Sequence, residues 1–152
     1  MVRAWLVDEG ARLSALELPA DDAGAQYAQI RSAVGGSGAE AAYYHRGSVL
    51  HVPATGSTDG LSPNLAVWAL ACGWRKMELP YLLYGPIVIT GPYDADGAAV
   101  GELSDRLTAQ VRTVCETVRE TVIGWRTRRP ASNEAALGEL LAYARRDLAA
   151  VS

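Results

Sequence analysis

The chain has 152 residues, 49% of them hydrophobic and 20% charged, with a formal net charge of −3. That is long enough for one domain with a real core, in the composition of an ordinary globular protein. The slight negative charge excludes a surface coated with basic residues for polyanion binding and leaves room only for a local basic patch.

The first elements follow from turn residues and alternation. Val2 to Val7 is apolar and ends at Asp8-Glu9-Gly10, and Leu13 to Leu18 alternates until Pro19, which together predict a β-hairpin. Asp21 and Asp22 can cap a helix with Tyr27, Ile30 and Val34 on its apolar face, and Gly35-Gly36 supplies the stop. Ala39 to Ala54 predicts a second hairpin about a tight turn at Arg46-Gly47. With two residues in that turn, Tyr43 lies opposite Leu50 and Ala41 opposite Val52 on a buried face, leaving Tyr44, Val49 and His51 on the other. After the polar loop Thr55 to Ser62, Ser62-Pro63 opens a helix with Ser62 as its cap, Leu65, Trp68, Ala69 and Cys72 as its stripe, and Gly73 at its end.

The strongest strand signal is Leu82 to Pro92, with Ile87, Val88 and Ile89 leaving no polar face, as in a strand covered on both sides. The loop Tyr93-Asp94-Ala95-Asp96-Gly97 leads to a long amphipathic helix carrying Leu103, Leu107, Val111, Val114, Val118, Val122 and Trp125 at steps of three or four. Arg126 to Pro130 breaks it, and Ser132 caps a last helix with Leu137, Leu140, Leu141, Ala144 and Leu148 inward. The expected fold is α+β: a small, mostly antiparallel or mixed sheet of about five strands in two hairpins and a central strand, helices on a face, and a C-terminal helical pair. Residues 1–97 are expected to form the core and 98–152 a helical hairpin packed on it, as a single domain.

Compartment and source are read from composition. Cys72 and Cys115 share no metal or redox spacing and sit among apolar residues, the pattern of buried thiols in a reducing compartment. Met1-Val2-Arg3-Ala4-Trp5 meets Asp8-Glu9 too early for a secretory signal, and no apolar run approaches the roughly 20 residues of a membrane span. A cytoplasmic protein is expected. Lys76 is the single lysine beside many arginines, and Ala and Gly are abundant, as in a high-GC genome such as that of an actinobacterium or its phage.

Several residue groups could carry chemistry. Asn64 stands at a helix start, with Gly85 and Thr90 on the neighbouring strand; a helix N-terminus there would offer an anion site, or the Asn64 amide would cap the helix or tie the preceding loop. Tyr43-Tyr44-His45-Arg46 places aromatics beside a cation, which could stack on a base; only one tyrosine can face outward from a strand, which leaves Tyr44 and Arg46. His45 and His51 fall on opposite faces of the hairpin in the two-residue-turn register, which separates them as ligands of one ion, and each reads as a surface or rim histidine. Gly35-Gly36-Ser37-Gly38 follows a helix and precedes a strand, the reverse of a phosphate loop. Asp94-x-Asp96-Gly97 lacks the remaining ligands of a calcium loop and reads as a turn. Arg126, Arg128 and Arg129 are the main basic concentration, and a hairpin would put Arg145 and Arg146 at its far end, which argues against nucleic-acid binding. The candidate ligand residues are thus Asn64, Tyr44, Arg46, Gly85 and Thr90, with no catalytic residue, metal or cofactor assigned.

The order Ile30-Arg31-Ser32-Ala33-Val34-Gly35-Gly36, a short hairpin, Gly60-Leu61-Ser62-Pro63-Asn64-Leu65-Ala66, and Tyr84-Gly85-x-Ile87-Val88-Ile89-Thr90-Gly91 resembles an uncharacterised family of small domains from phages, plasmids and bacterial genomes. The resemblance covers about residues 25–97. Thr58-Asp59-Gly60 stands where members often carry Asp-Glu-Gly. The resemblance implies a mobile-element setting and no activity to inherit. The expectation is a non-enzymatic binding protein that interferes with a host factor or sequesters a nucleotide-like ligand. The alternatives are a small enzyme on an anionic substrate and a structural or nucleic-acid-binding accessory protein. Self-association through the C-terminal helices is also expected.

Overall fold

The computed structural model describes residues 1–35 and 38–152. The expected stop at Gly36 and the middle of the Gly35-Gly36-Ser37-Gly38 run lie outside them. Strands β1 (Val2–Val7) and β2 (Leu13–Leu18) pair antiparallel from Val2–Leu18 to Val7–Leu13. Asp8 holds the turn between them, its Oδ1 accepting from the N–H groups of Gly10 and Arg12 at 2.9 Å. β3 (Ala39–His45) and β4 (Ser48–Pro53) form the second hairpin, and β5 (Ile87–Thr90) joins the two. It runs antiparallel to β1 on one side and β4 on the other, in the order β2-β1-β5-β4-β3. Ile87, Val88 and Ile89 are all 0% exposed, which places this tripeptide at the centre of the sheet as its composition requires.

The four helices α1 (Ala23–Val34), α2 (Leu65–Arg75), α3 (Asp105–Gly124) and α4 (Asn133–Ala150) complete an α+β fold with a C-terminal helical pair. They divide between the two faces of the sheet. Ile87 and Ile89 pack with Leu50, Val7 and the apolar residues of α2, α3 and α4. Val88 packs with Ala4, Leu18, Val100 and, from α1, Ile30 and Val34. α2 is buried continuously from Ala66 to Cys72, because the sheet covers one side and the C-terminal pair the others. Thr117 Oγ1 of α3 donates to Asp147 Oδ2 of α4 at 2.7 Å, and the Arg128–Glu139 ion pair ties the segment between the two helices to α4. Most of the leucine and valine stripe of these helices is thereby covered within the chain, and Val122 and Ile123 are apolar residues of α3 left exposed.

Four local expectations change. In the second hairpin His45 pairs with Ser48 about the Arg46-Gly47 turn, but Ala42 pairs with Leu50 and Ala41 with His51. A β-bulge between Ala42 and His45 inserts one extra residue and slips the register by one. Tyr43 is therefore exposed (61%), while Tyr44 turns toward the α2 side. The cap of α2 is Asn64, two residues beyond Ser62. Gly73 does not end that helix, which runs to Arg75 and closes on Lys76 in the left-handed conformation (φ 55°). At Gly73 a Cβ would lie 2.5 Å from Leu148 Cδ2, so the residue lets α4 approach α2. On α1, Tyr27 is half-exposed, and Gln26 is the side chain buried beside Ile30 and Val34.

Candidate functional site

Asn64 is fully buried and fully used. Its Oδ1 accepts from the N–H of Val67 at 3.1 Å, and its Nδ2 donates to the carbonyls of Val7 (3.0 Å) and Gly85 (2.9 Å). One amide thus caps α2 and ties it to β1 and to the strand entry. Gly85, at φ +80°, lies close to Pro53 and Leu61, which exclude a side chain there. Of the two roles open to Asn64, capping and tying account for every hydrogen-bonding atom of its amide. Tyr44 is held away from this pair by a 2.9 Å hydrogen bond between its hydroxyl and that of Tyr81, and burial first, then Tyr81, push its pKa up. The expected ligand residues therefore do not form one site: Asn64 and Gly85 meet each other, Tyr44 is bonded to Tyr81, Thr90 is buried behind His51, and Arg46 belongs to a different place.

That place is a cleft of about 610 Å³ between α1, the second hairpin and the 92–100 loop. Each element brings a side chain for a local reason. α1 turns Tyr27 outward while Gln26 anchors the loop, its Nε2 donating to Pro19 O and Val100 O and its Oε1 accepting from Val100 N–H. The bulge in β3 turns Tyr43 toward the cleft, and the turn adds Arg46. The loop is closed by the Tyr93–Val100 bridge and by Asp94 Oδ1 accepting from Ala98 N–H at 3.1 Å, which places Tyr93 on the wall. Asp94 acts as the turn former that its spacing suggested. β4 contributes Ser48, Val49 and His51. Three tyrosines thus border one space, Arg46 adds a permanent positive charge, and no carboxylate is among the described residues that line it.

His51 is the residue that the sequence misplaced most. It is 4% exposed, not a rim histidine. Its Nε2 lies 2.9 Å from Thr90 Oγ1, and the Thr90 hydroxyl donates to Gly91 O at 2.8 Å. A hydroxyl has one proton; given to Gly91 O, it leaves Nε2 to carry the N–H of the first bond and Nδ1 as a bare acceptor. Burial pushes the His51 pKa down to about 4, so the ring is neutral at physiological pH. Tyr93 stands edge-on to it with ring centres 6.3 Å apart. The Tyr93 phenol is itself pushed up by burial and then by the nearby Tyr43 and Tyr27. His45 also borders the cleft, but it packs against Trp74 at 5.3 Å and its Nδ1 accepts from Gly47 N–H at 2.9 Å. Burial and the cations Arg46 and Arg106 lower its pKa.

The other candidates resolve simply. Among the described residues no group of three or more His, Cys, Asp or Glu is placed to hold a metal ion. Cys72 and Cys115 are buried free thiols, and burial pushes Cys115 up to about 12. Arg128 is paired with Glu139, and Arg146 is paired with Asp147 and stacked over Tyr143 at 5.0 Å, so the basic concentration at the C terminus is partly neutralised. No described helix is long and apolar enough to cross a membrane. Comparisons with protein-family models, with curated proteins and with solved structures gave no match.

Of the cleft residues, Arg46 was a ligand candidate in the sequence; Thr90, also a candidate, lies behind the wall on His51. Tyr27, Tyr43, Tyr93 and His51 were not assembled from the sequence. Strand alternation does put Val49 and His51 on one face, and the slip that adds Tyr43 to that face is the available signal.

Proposed function

We propose that the protein is a non-catalytic binding module that takes a planar, anionic, nucleotide-like small molecule in the cleft between α1 and the second hairpin. The observation that carries this reading is the composition of the wall: Tyr27, Tyr43 and Tyr93 around about 610 Å³, with Arg46 as a charged side chain and no carboxylate among the described residues that line it. The volume is within the usual range for a small-molecule site. Phenol rings supply faces and edges for a flat heterocycle, and a guanidinium suits phosphate or carboxylate. Tyr27 also borders a second depression with Arg31 and Ser32, which gives an elongated ligand a further cation to reach.

The character of the titratable groups supports binding over turnover. His51, held near pKa 4, is a weak base at neutral pH, and the thiol of Cys115 is buried and held protonated. In the mobile-element setting that the sequence resemblance implies, such a module would sequester a nucleotide-like signal. Isothermal calorimetry with nucleoside monophosphates and signalling dinucleotides tests this. At least one is expected to bind without product formation, and Arg46→Ala and Tyr43→Ala, both at exposed positions, are expected to weaken it about tenfold or more at unchanged urea midpoint. Absence of binding across the panel overturns the reading, and turnover of a bound nucleotide replaces it with an enzyme.

A further inference from the structure

The polar end of the cleft has a polarity of its own. His51 is buried, its Nε2 is committed to Thr90 Oγ1 at 2.9 Å, and Thr90 Oγ1 also lies 2.8 Å from Gly91 O, an acceptor that takes the hydroxyl proton and leaves the N–H to Nε2. Nδ1 makes no hydrogen bond to any described residue. It is also not one of the side-chain atoms sealed from solvent without a partner, and the space that His51 borders is the cleft. A nearly buried imidazole thus presents one unpartnered acceptor to the cavity, where a ligand atom can meet it largely out of competition with bulk water.

We propose that the deep end of the cleft recognises a hydrogen-bond donor on its ligand, the amino group of a nucleobase, through His51 Nδ1, and that Thr90 is the positioning residue that fixes this polarity. The inference rests on the reading of the cleft as a nucleotide-like site and specifies the half of the ligand that Arg46 does not hold. With Arg46 exposed at the turn and His51 buried, the anionic group lies at the mouth and the heterocycle points inward between the tyrosines. A donor at the inner edge of that heterocycle meets the unpartnered acceptor of His51. A base presenting only a ring acceptor there would face Nδ1 lone pair to lone pair and leave both atoms desolvated without a bond. Thr90 enters because the imidazole has two neutral tautomers: an acceptor at Nε2 selects the one with a free Nδ1, and removal of that acceptor releases the choice.

The test uses the full chain with AMP, GMP, CMP and UMP, binding measured by calorimetry and the histidines by long-range proton–nitrogen NMR on uniformly ¹⁵N-labelled protein. The free protein is expected to show His51 as the Nε2–H tautomer. A nucleotide that binds is expected to move the His51 Nδ1 resonance while the Nε2 proton stays in place. Purine riboside 5′-monophosphate, which differs from AMP in lacking the amino group, is expected to bind about tenfold or more weakly than AMP if AMP binds. Thr90→Val, close in shape, is expected to keep the fold by circular dichroism and to lose most of that discrimination. A nucleotide that binds with the Nδ1 resonance unmoved overturns this inference and leaves the cleft assignment standing. An Nδ1–H tautomer in the free protein, or equal affinity for AMP and its amino-free analogue, overturns it as well. Failure of all four nucleotides and of the signalling dinucleotides to bind overturns it together with the reading it rests on.

Discussion

Two side chains show how one polar group can serve the fold in ways that mutation can separate. Asn64 makes three hydrogen bonds with three different segments. Asn64→Ala removes the cap of α2 and the donor to two buried carbonyls, and a loss of about 2–4 kcal/mol is expected in urea unfolding. Asn64→Asp is the sharper variant, because the cap survives while an oxygen replaces the Nδ2 donor between Val7 O and Gly85 O. Its loss is expected to match or exceed that of alanine, and to shrink at acidic pH as the carboxyl regains a proton to donate. His51 gives a second measurable linkage. Its folded-state pKa, about 4, lies below the ordinary 6.5, so between these pH values the unfolded chain binds the proton that the folded chain refuses. The contribution is whole above pH 6.5 and is lost as pH falls toward 4, by about 3 kcal/mol. His45, Glu139 and Asp147, whose folded pKa values are also lowered, act with the same sign. Urea midpoints of wild type and His51→Gln at about pH 7 and about pH 5 isolate the His51 share: the variant is expected to lose distinctly less stability on acidification.

At the level of elements, legibility followed how local the cause is. The tripeptide Ile87-Val88-Ile89 and the stripe from Leu107 to Val118 announce their burial within their own segments, and both are buried. The cap of α2 was not decidable this way, since Ser62 and Asn64 both cap well. What decides it is a long-range pairing: Asn64 N–H donates to Leu83 O and Gly85 N–H to Ser62 O, which keeps Ser62 in an extended segment bridged to the strand entry. The burial of His51 likewise depends on β5, Thr90 and Tyr93, far from the hairpin in sequence. The candidate site was therefore the least legible feature, because its wall comes from three separate segments. Gly91 makes the same point at an element junction. Its N–H donates to Gly101 O at 2.9 Å, and a Cβ there would lie 2.1 Å from the carbonyl oxygen of Glu102. A backbone carbonyl cannot rotate aside as a leucine methyl can, so Gly91→Ala is expected to cost about 3 kcal/mol or more. Gly124→Ala, with nothing within 4 Å at the end of α3, is the control and is expected to leave the thermal midpoint unchanged or slightly raised.

The whole molecule is held together by α2. It is buried from Ala66 to Cys72, and the sheet can account for only one side of it. The rest of its cover comes from Val111, Val114, Cys115 and Val118 of α3 and from Leu140, Leu141, Ala144 and Leu148 of α4, all in the same apolar cluster as Ile87 and Ile89. Residues 98–152 are thus a wall of the core rather than an appendage to it. A chain ending at residue 97 would expose Trp68, Leu70 and Cys72 together with the outer face of the sheet, an area large enough to favour aggregation over folding. The fragment 1–97 is expected to show no cooperative urea transition and to bind a hydrophobic dye, and a peptide spanning 98–152 is expected to restore the transition when added in trans. The cleft sits on the opposite face, built on α1 and the Val88 side of the sheet. The cut after residue 97 also takes Ala98 and Val100 out of the cleft wall, so loss of residues 98–152 abolishes ligand binding both by unfolding the sheet and by opening the 92–100 loop. The trans complex is expected to recover binding in step with its far-ultraviolet dichroism, and a fragment 1–97 that unfolds cooperatively by itself would show that the helical pair is dispensable to the core.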